Sequence, residues 1–156
     1  MHIRILAIGT KMPTWVEEGY YEYAKRFTAG CKIQLVEIPS EKRSKSSNID
    51  QLKQRESDKV ARLIKSNHRV IALDVKGKQW STEDLANQMK NWQQEGKNID
   101  LLIGGPDGFS DTLLQRVDHK WSLSALTFPH PLVRILLIEQ LYRAMTFIEG
   151  HPYHRL

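Results

Sequence analysis

The feature that most constrains the fold of this chain is a regular alternation of strand-like and helix-like segments. Period-two alternation of apolar and polar residues, or a short apolar run, marks each strand. Strands are predicted at His2–Ile8, Lys32–Ile38, residues 70–74 and Ile99–Ile103, with a short strand and loop within residues 121–128. The third strand is expected to end in a turn at Lys76 and Gly77.

The helices between these strands have clear starting and stopping signals. An apolar stripe at helical spacing begins after Pro13 and is expected to end at Gly30. Asn48 is the predicted N-cap of the next helix. The apolar side of that helix holds Leu52, Val60, Leu63 and Ile64. Ser81 and Asp84 have capping-box spacing, and a short helix is predicted over residues 110–117. The alternation as a whole predicts one α/β domain, residues 1–156, with a mostly parallel sheet.

The last predicted helix, which Pro131 begins, differs from the others because it is apolar around most of its circumference. Its apolar residues extend from Leu132 to Ile148. A helix that is apolar on all sides must be buried, whereas the outer face of a helix in a domain of this size normally meets water. The pattern therefore predicts a subunit interface, most commonly that of a two-fold homodimer.

The charge balance favours a polyanionic partner. Lysine and arginine outnumber aspartate and glutamate by 23 to 18, a net charge of +5. Much of the excess lies in residues 41–65, and the serine-rich segment of residues 40–47, which we call the basic loop, is also predicted to be mobile. Lys42, Arg43 and Lys45 in this loop are candidate RNA contacts, although an ordinary solvated surface explains the same charges.

The single cysteine and the absence of long apolar runs indicate the cellular environment of the protein. Cys31 has no second cysteine to pair with, which favours a reducing cytoplasmic environment and a structural role for the thiol. No apolar run reaches the roughly 20 residues of a membrane span, so no membrane contact is expected.

The most unusual chemistry of the sequence follows the fourth predicted strand. Residues 104–108, Gly-Gly-Pro-Asp-Gly, form what we call the glycine turn, where a ligand can approach the backbone closely. Ligands of open α/β sheets bind outside the carboxyl ends of strands, which is where this turn and Leu73 lie. The turn matches neither of the glycine-rich motifs that bind diphosphates and triphosphates. Residues 122–127 add small and hydroxyl side chains, a wall suited to a nucleoside cofactor without phosphates.

Two other kinds of chemistry are disfavoured. His151 and His154 are three residues apart, but with one distant cysteine they make no zinc pattern, so no metal is predicted. Covalent acyl transfer is disfavoured because the chain has no nucleophile elbow and Cys31 has no evident histidine partner.

Several blocks of the sequence closely resemble the RlmH family of bacterial ribosomal large subunit pseudouridine methyltransferases. The most specific are LLIGGPDG at residues 101–108 and WSLSALTFPHPLVR at residues 121–134. Residues 7–13 with Trp15, Leu73-Asp74 with Gly77-Lys78, and residues 151–155 also agree, so the resemblance covers essentially the whole chain in order. Asp107 departs from the glutamate expected at its position, which is a conservative change.

The resemblance implies a fold and a cofactor. The fold is the SPOUT type, a single domain with helices on both faces of the sheet, a trefoil knot within about residues 70–156, and a dimer built on the knotted region. The cofactor is S-adenosylmethionine. By family analogy it would contact Leu73, Gly104, Gly105, Leu123, Ser124, Ala125, Leu126, Thr127 and Phe128.

The resemblance also implies the substrate, a pseudouridine in the helix-69 stem-loop of 23S ribosomal RNA that is methylated at N3 in the assembled ribosome, with no role for DNA. Removal of the N3 proton, or stabilisation of the resulting anion, requires polar side chains near the base. The candidates are His130, Arg134, Tyr142, Arg143, Tyr153, His154 and Arg155. Two alternatives remain open, a ribosome-binding factor without catalysis and a SPOUT enzyme that acts on transfer RNA.

Overall fold

The computed structural model describes residues 1–28 and 30–154, the last of these by its backbone alone. Five parallel strands form one sheet in the order β2-β1-β4-β3-β5. The strands are β1 His2–Ile8, β2 Lys32–Ile38, β3 Arg69–Gln79, β4 Ile99–Ile103 and β5 His119–Ser122. The helices are α1 Thr14–Ala24, α2 Ile49–Leu63, α3 Thr82–Glu95, α4 Asp111–Leu114 and α5 His130–Glu149, followed by a 3-10 turn at Pro152–His154.

Helices cover both faces of the sheet, which confirms the predicted α/β architecture. On one face, residues of α3 and α5 pack with Ile3, Ile5 and Leu101 in the larger of two buried apolar clusters. On the other face, Val60 of α2 and Leu113 of α4 pack with strand residues of the smaller cluster. Because successive side chains of a strand point to opposite faces, the central strands are apolar along their whole length.

The helix starts follow the sequence signals closely, whereas several ends do not. The side chain of Asn48 accepts a hydrogen bond from the backbone of Gln51, and Ser81 and Asp84 form the predicted capping box. The first helix stops at Ala24 instead of extending to Gly30, and the helix predicted over residues 110–117 is only the four-residue α4. Leu63 is 41% exposed and does not belong to the apolar side of α2, because that helix ends there.

The third strand differs most from its prediction. Instead of turning at Lys76 and Gly77, β3 continues to Gln79, and Trp121 of β5 pairs with both Leu73 and Lys78 across a bulge. Gly77 lies directly on the neighbouring strand, since a Cβ atom there would come 2.6 Å from the backbone carbonyl of Lys120. Pairing with β5, which local sequence does not reveal, therefore holds a Lys-Gly-Lys stretch in the sheet.

The last helix lies across the layer formed by α1 and α3. Its buried face includes Leu137, Ile138, Leu141 and Ala144, whereas Phe147 on another face is 38% exposed. The single chain thus buries one face of α5 and leaves another partly exposed, and the subunit interface predicted for this helix stays a prediction. None of the helices in the described part of the chain is long and apolar enough to span a membrane.

A buried ion pair stabilises the amino-terminal edge of the sheet. Asp100 of β4, fully buried, accepts hydrogen bonds from Nε of Arg4 at 2.8 Å and from the backbone of Lys65 at 3.0 Å. Burial raises the pKa of Asp100, but these hydrogen bonds and one to His68 outweigh it and lower the pKa overall. This edge is occupied by structural charges, and the open site lies at the opposite edge.

Candidate active site

A cleft of about 670 Å³ lies at the carboxyl edge of the sheet. It opens between the end of β3, the glycine turn after β4, the segment that follows β5 and the first turns of α5. Its volume is within the usual range for sites of small organic ligands. Open parallel sheets bind their ligands at the carboxyl edge, so the sheet topology and the cavity both place the ligand site there.

The structure brings together residues that the sequence places far apart. Among the described residues, the cleft is lined by every predicted cofactor contact except Ala125, whose exposed side chain sits in the same segment. Leu73 comes from β3, Gly104 and Gly105 from the turn after β4, and the remaining residues from the segment after β5. Three separate stretches of chain thus form one cavity.

The glycine turn is closed by its own backbone. The amide of Gly108 donates to the carbonyl of Gly105 at 3.1 Å, and Gly108 has a positive φ of 73° that favours glycine. A Cβ atom on Gly104 would come 3.1 Å from the backbone of Gly108, so a side chain there would force the turn open. At its three glycines the turn presents backbone to the cleft, and Pro106 and Asp107 also line it.

Gly105 is restricted for a different reason from the one that sequence alone suggests. A Cβ atom at this position would come 3.1 Å from Oε1 of Glu56 and 3.1 Å from Cγ2 of Ile8. Both neighbours are buried protein atoms behind the turn. The space that a side chain would need is therefore occupied by the protein's own interior, whereas the sequence had suggested a clash with the ligand.

The segment after β5 forms the opposite wall. The hydroxyl of Ser122 donates to the carbonyl of Ser124 at 2.9 Å, and the amide of Leu126 donates to the hydroxyl of Ser124 at 3.0 Å. These local hydrogen bonds fix the backbone of a segment that lacks regular secondary structure. Leu123 and Phe128 then supply apolar surface along the wall.

His130, the first residue of α5, is the predicted substrate-handling residue that lines the cleft. Burial lowers the pKa of its imidazole, and the positive charge of Arg134 lowers it further. The ring lies against the turn after β1, where a Cβ atom on Gly9 would come 3.5 Å from Nε2. A neutral imidazole at the wall of a ligand cleft is suited to accept a proton.

Arg134 lies behind the cleft wall and is bound on two sides. It is 2% exposed, and its guanidinium donates to Glu37 at 2.5 Å and to the carbonyl of Gly9 at 2.7 Å. These contacts join the start of α5 to the ends of β1 and β2. In this arrangement Arg134 supports His130 and does not reach the cleft.

The described part of the tail, residues 151–154, lies beside the middle of α5. The hydroxyl of Tyr153 donates to Glu139 at 3.1 Å, its ring centroid lies 4.8 Å from that of Tyr142, and Arg143 lies over the ring. Burial, followed by the charge of Glu139, raises the pKa of Tyr153 to about 12. Tyr142 is twelve residues from His130, or about 18 Å along the helix axis. The described tail therefore lies far from the chain's own cleft. Arg155 and the side chain of His154 lie outside the described residues.

The three candidate RNA contacts of the basic loop have different surroundings. Lys42 and Lys45 are exposed. Arg43 is engaged with Glu56 at 2.9 Å and with Asp107 of the glycine turn at 2.9 Å. These ion pairs anchor the middle of a loop that the sequence predicted to be mobile.

Sequence analysis did not identify the lysines around the mouth of the cleft. Lys53 of α2, Lys76 in the β3 bulge and Lys120 of β5 all line it. No local pattern marks them, because they come from three elements and meet only in the folded chain. Asp74, Asp107 and Asp111 line the same cleft, so the lysines bring positive charge to a lining of mixed charge.

Comparison with known proteins identifies the family. A family model described as a predicted SPOUT methyltransferase matches residues 1–154 of this chain. The chain therefore belongs to the SPOUT methyltransferases, and it is a methyltransferase. A solved structure of a probable methylase family protein from Haemophilus influenzae Rd KW20 has a similar fold, with a TM-score of 0.56 at 13% identity, covering 99% of this chain and 70% of that one.

Full-length relatives narrow the assignment. Proteins named "Ribosomal RNA large subunit methyltransferase H" are 54% identical in Saccharophagus degradans and 50% identical in Hahella chejuensis. Each match covers 99% of this chain, and it covers 100% of the first relative and 99% of the second. Within the SPOUT methyltransferases, the chain thus belongs to the RlmH family that its motifs indicated.

Proposed function

We propose that this chain transfers a methyl group from S-adenosylmethionine to N3 of a pseudouridine in the helix-69 stem-loop of 23S ribosomal RNA. The assembled ribosome, in the cytoplasm, is the proposed substrate, and DNA is not. The observation that carries the proposal is the convergence of three motif-bearing segments on one cleft, in a chain whose half-identical relatives are named as ribosomal RNA methyltransferases.

The residues of the cleft fit S-adenosylmethionine. Leu73, Leu123 and Phe128 offer apolar surface for an adenine ring, and the backbone of the segment after β5 offers hydrogen-bonding groups for its edge. Gly104 and Gly105 leave the turn backbone accessible to the rest of the ligand. When bound, the cofactor supplies a methyl group on a sulfonium centre. The cofactor carries no phosphate and therefore needs no phosphate-binding motif.

His130 is the proposed proton acceptor. It lines the cleft, and its lowered pKa keeps it neutral and able to accept the N3 proton near neutral pH. Arg134, held by Glu37 and Gly9, keeps the first turns of α5 in place and contributes positive charge beside the imidazole. His130 thus acts on the base, and Arg134 positions His130.

The proposed RNA surface consists of the lysines that line the cleft and the exposed lysines of the basic loop. Lys53, Lys76 and Lys120 border the cleft, and Lys42 and Lys45 lie on the basic loop, which Arg43 anchors to the glycine turn. Lysines on separate elements around one opening suit a folded RNA backbone that carries a base into the cleft. This assignment leaves Arg43 out of the phosphate contacts.

We propose a homodimer in which each tail serves the partner's cleft. The chain leaves apolar surface on α5, which favours a subunit interface, and the tail residue Tyr153, which packs on Tyr142 of α5, lies too far from His130 to share its cleft. The trefoil knot expected within about residues 70–156 is part of the same proposal. It is supported by the return of the chain after β5 to the glycine turn, where both segments line one cleft.

Two measurements test the function. Calorimetry with S-adenosylmethionine tests cofactor binding, and transfer of a radiolabelled methyl group to assembled ribosomes, separate subunits and transfer RNA tests the substrate. We expect label in 23S ribosomal RNA of assembled ribosomes. Label only in transfer RNA would refute the proposed substrate, and cofactor binding without any labelled RNA would indicate a ribosome-binding factor without catalysis.

A further inference from the structure

We propose that Arg43 is a positioning residue that fixes the glycine turn for cofactor binding, by bridging the turn to a buried carboxylate of α2. The inference deepens the proposed function and rests on it for the identity of the ligand. It starts from Glu56, which sequence patterning placed on a charged helix. In the folded chain Glu56 is 0% exposed.

The buried carboxylate of Glu56 has a full set of partners. Nη1 and Nη2 of Arg43 donate to its two oxygens at 3.0 Å and 2.9 Å, and the amide of Glu41 donates at 2.9 Å. A bidentate guanidinium and a backbone amide compensate well for burying a charge. Glu56 therefore holds Arg43 in one orientation.

The same guanidinium reaches the glycine turn. Nε of Arg43 donates to Oδ2 of Asp107 at 2.9 Å, while Glu56 lies directly behind Gly105. The turn is therefore held at two points, by Glu56 at its back and by Arg43 at its side. These contacts use four of the five N–H donors of the Arg43 guanidinium, so most of its donor capacity is committed to the bridge.

Arg43 and Glu56 contact the turn from outside the cleft. Among the described residues, neither lines the cleft, whereas Asp107, Gly104 and Gly105 do. Their opposite charges also act on His130, so a test must remove both charges together. A loss of cofactor affinity in such a variant is then not the loss of a direct ligand contact, and displacement of the turn accounts for it.

The test needs variants that leave no unpaired buried charge. Arg43→Met alone would strand the Glu56 carboxylate, so Arg43→Met is combined with Glu56→Gln, which neutralises both partners. Asp107→Asn weakens the connection to the turn by replacing the charged acceptor with a neutral one, and because Asp107 also lines the cleft, hydrogen exchange is the decisive readout for this variant. Lys42→Met is the matched control, because it removes a neighbouring exposed charge from the same loop.

Three readouts separate positioning from general stability: hydrogen exchange of the amides of residues 105–109 in the ligand-free protein, the Kd for S-adenosylmethionine by calorimetry, and the midpoint of urea unfolding. In the double variant and in Asp107→Asn we expect faster exchange at the turn and a Kd raised about three- to fivefold, as for a partly exposed ion pair. Lys42→Met should match the wild type in all three.

Unchanged exchange and affinity in both variants would overturn the proposal, as would a shift of the unfolding midpoint alone, since either result would make Arg43 merely structural. If the wild type itself fails to bind S-adenosylmethionine, the proposed function is refuted. In that case the hydrogen exchange of the turn still decides whether Arg43 positions it.

Discussion

Glu56 and Gly105 lie back to back, with only 3.1 Å between Oε1 of the buried carboxylate and the place where a Cβ atom on the glycine would lie. The glycine is thus required by the protein interior behind the turn. The glycine turn, which lines the cleft, is therefore backed by a buried carboxylate of α2. The shape of the ligand site therefore depends on a residue that touches no ligand.

Substitution of Gly105 by alanine tests this relationship. The new methyl group would press on Glu56 and Ile8, both buried, so the turn should shift toward the cleft. We expect the Kd for S-adenosylmethionine to rise at least about tenfold, and the free energy of unfolding to fall by about 1–3 kcal/mol. Calorimetry and urea unfolding measure the two effects. Gly30→Ala is the control, because a Cβ atom there meets nothing within 4 Å.

Substitution of His130 by glutamine tests the proton acceptor. The rate of methyl transfer should fall by roughly 10²–10⁴, the usual contribution of a general base. The pKa of His130 is lowered below 6.5, so the imidazole stays neutral as the pH falls to that value and becomes protonated only below it. The wild-type rate should therefore fall on the acid side with a midpoint below 6.5, and this limb should vanish in the variant. An unchanged acid limb would assign the titration to another group.

Charge reversal of Lys42 and Lys45 tests the RNA surface. Each lost phosphate contact reduces the magnitude of the slope of log K against log salt by roughly 0.7–0.9. The slope of the double variant should therefore be shallower by about 1.4–1.8. Lys90→Glu with Lys97→Glu makes the same change of net charge at exposed positions outside the cleft and serves as the control. Equal salt slopes in the two double variants would mean that the basic loop only contributes net charge.

Mixed dimers test the position of the tail. One chain lacks residues 151–156 and has an intact cleft, and the other carries Gly105→Val and has an intact tail. If each tail serves the partner's cleft, the mixed dimer contains one complete site and should regain about half of the wild-type activity. If each tail serves its own cleft, both sites are incomplete and activity should be absent. Full activity of the homodimer without tails would remove the tail from catalysis.

Substitution of Gly77 by alanine tests the long third strand. The Cβ atom would lie 2.6 Å from the backbone of Lys120, and backbone atoms cannot turn aside as a side chain can. We expect a loss of about 1–3 kcal/mol in the free energy of unfolding, measured in urea against Gly30→Ala. A neutral result would show that the β3 bulge moves freely relative to β5.

Much of the fold was predictable because its signals are local. Alternating apolar residues, the Asn48 cap and the Ser81–Asp84 capping box depend on neighbours within a few positions, and each is confirmed. The largest error occurs where a distant partner decides, because the third strand extends to Gln79 by pairing with β5. The first helix ends at Ala24, six residues before the glycine predicted to stop it, and its last hydrogen bonds are local.

The features of the candidate site also fall into those that local sequence predicts and those that only tertiary contacts set. The sequence by itself determined the glycine turn, the hydroxyl-rich segment and their family, because a backbone that approaches a ligand requires particular residues at fixed spacing. Only the tertiary structure decided that Arg134 is a buried support, that Arg43 bridges Glu56 to Asp107, and that lysines of three elements surround the cleft. The physical reason is that the role of a charged side chain depends on its burial and on the partners that it meets, and both are set by contacts between residues far apart in the chain.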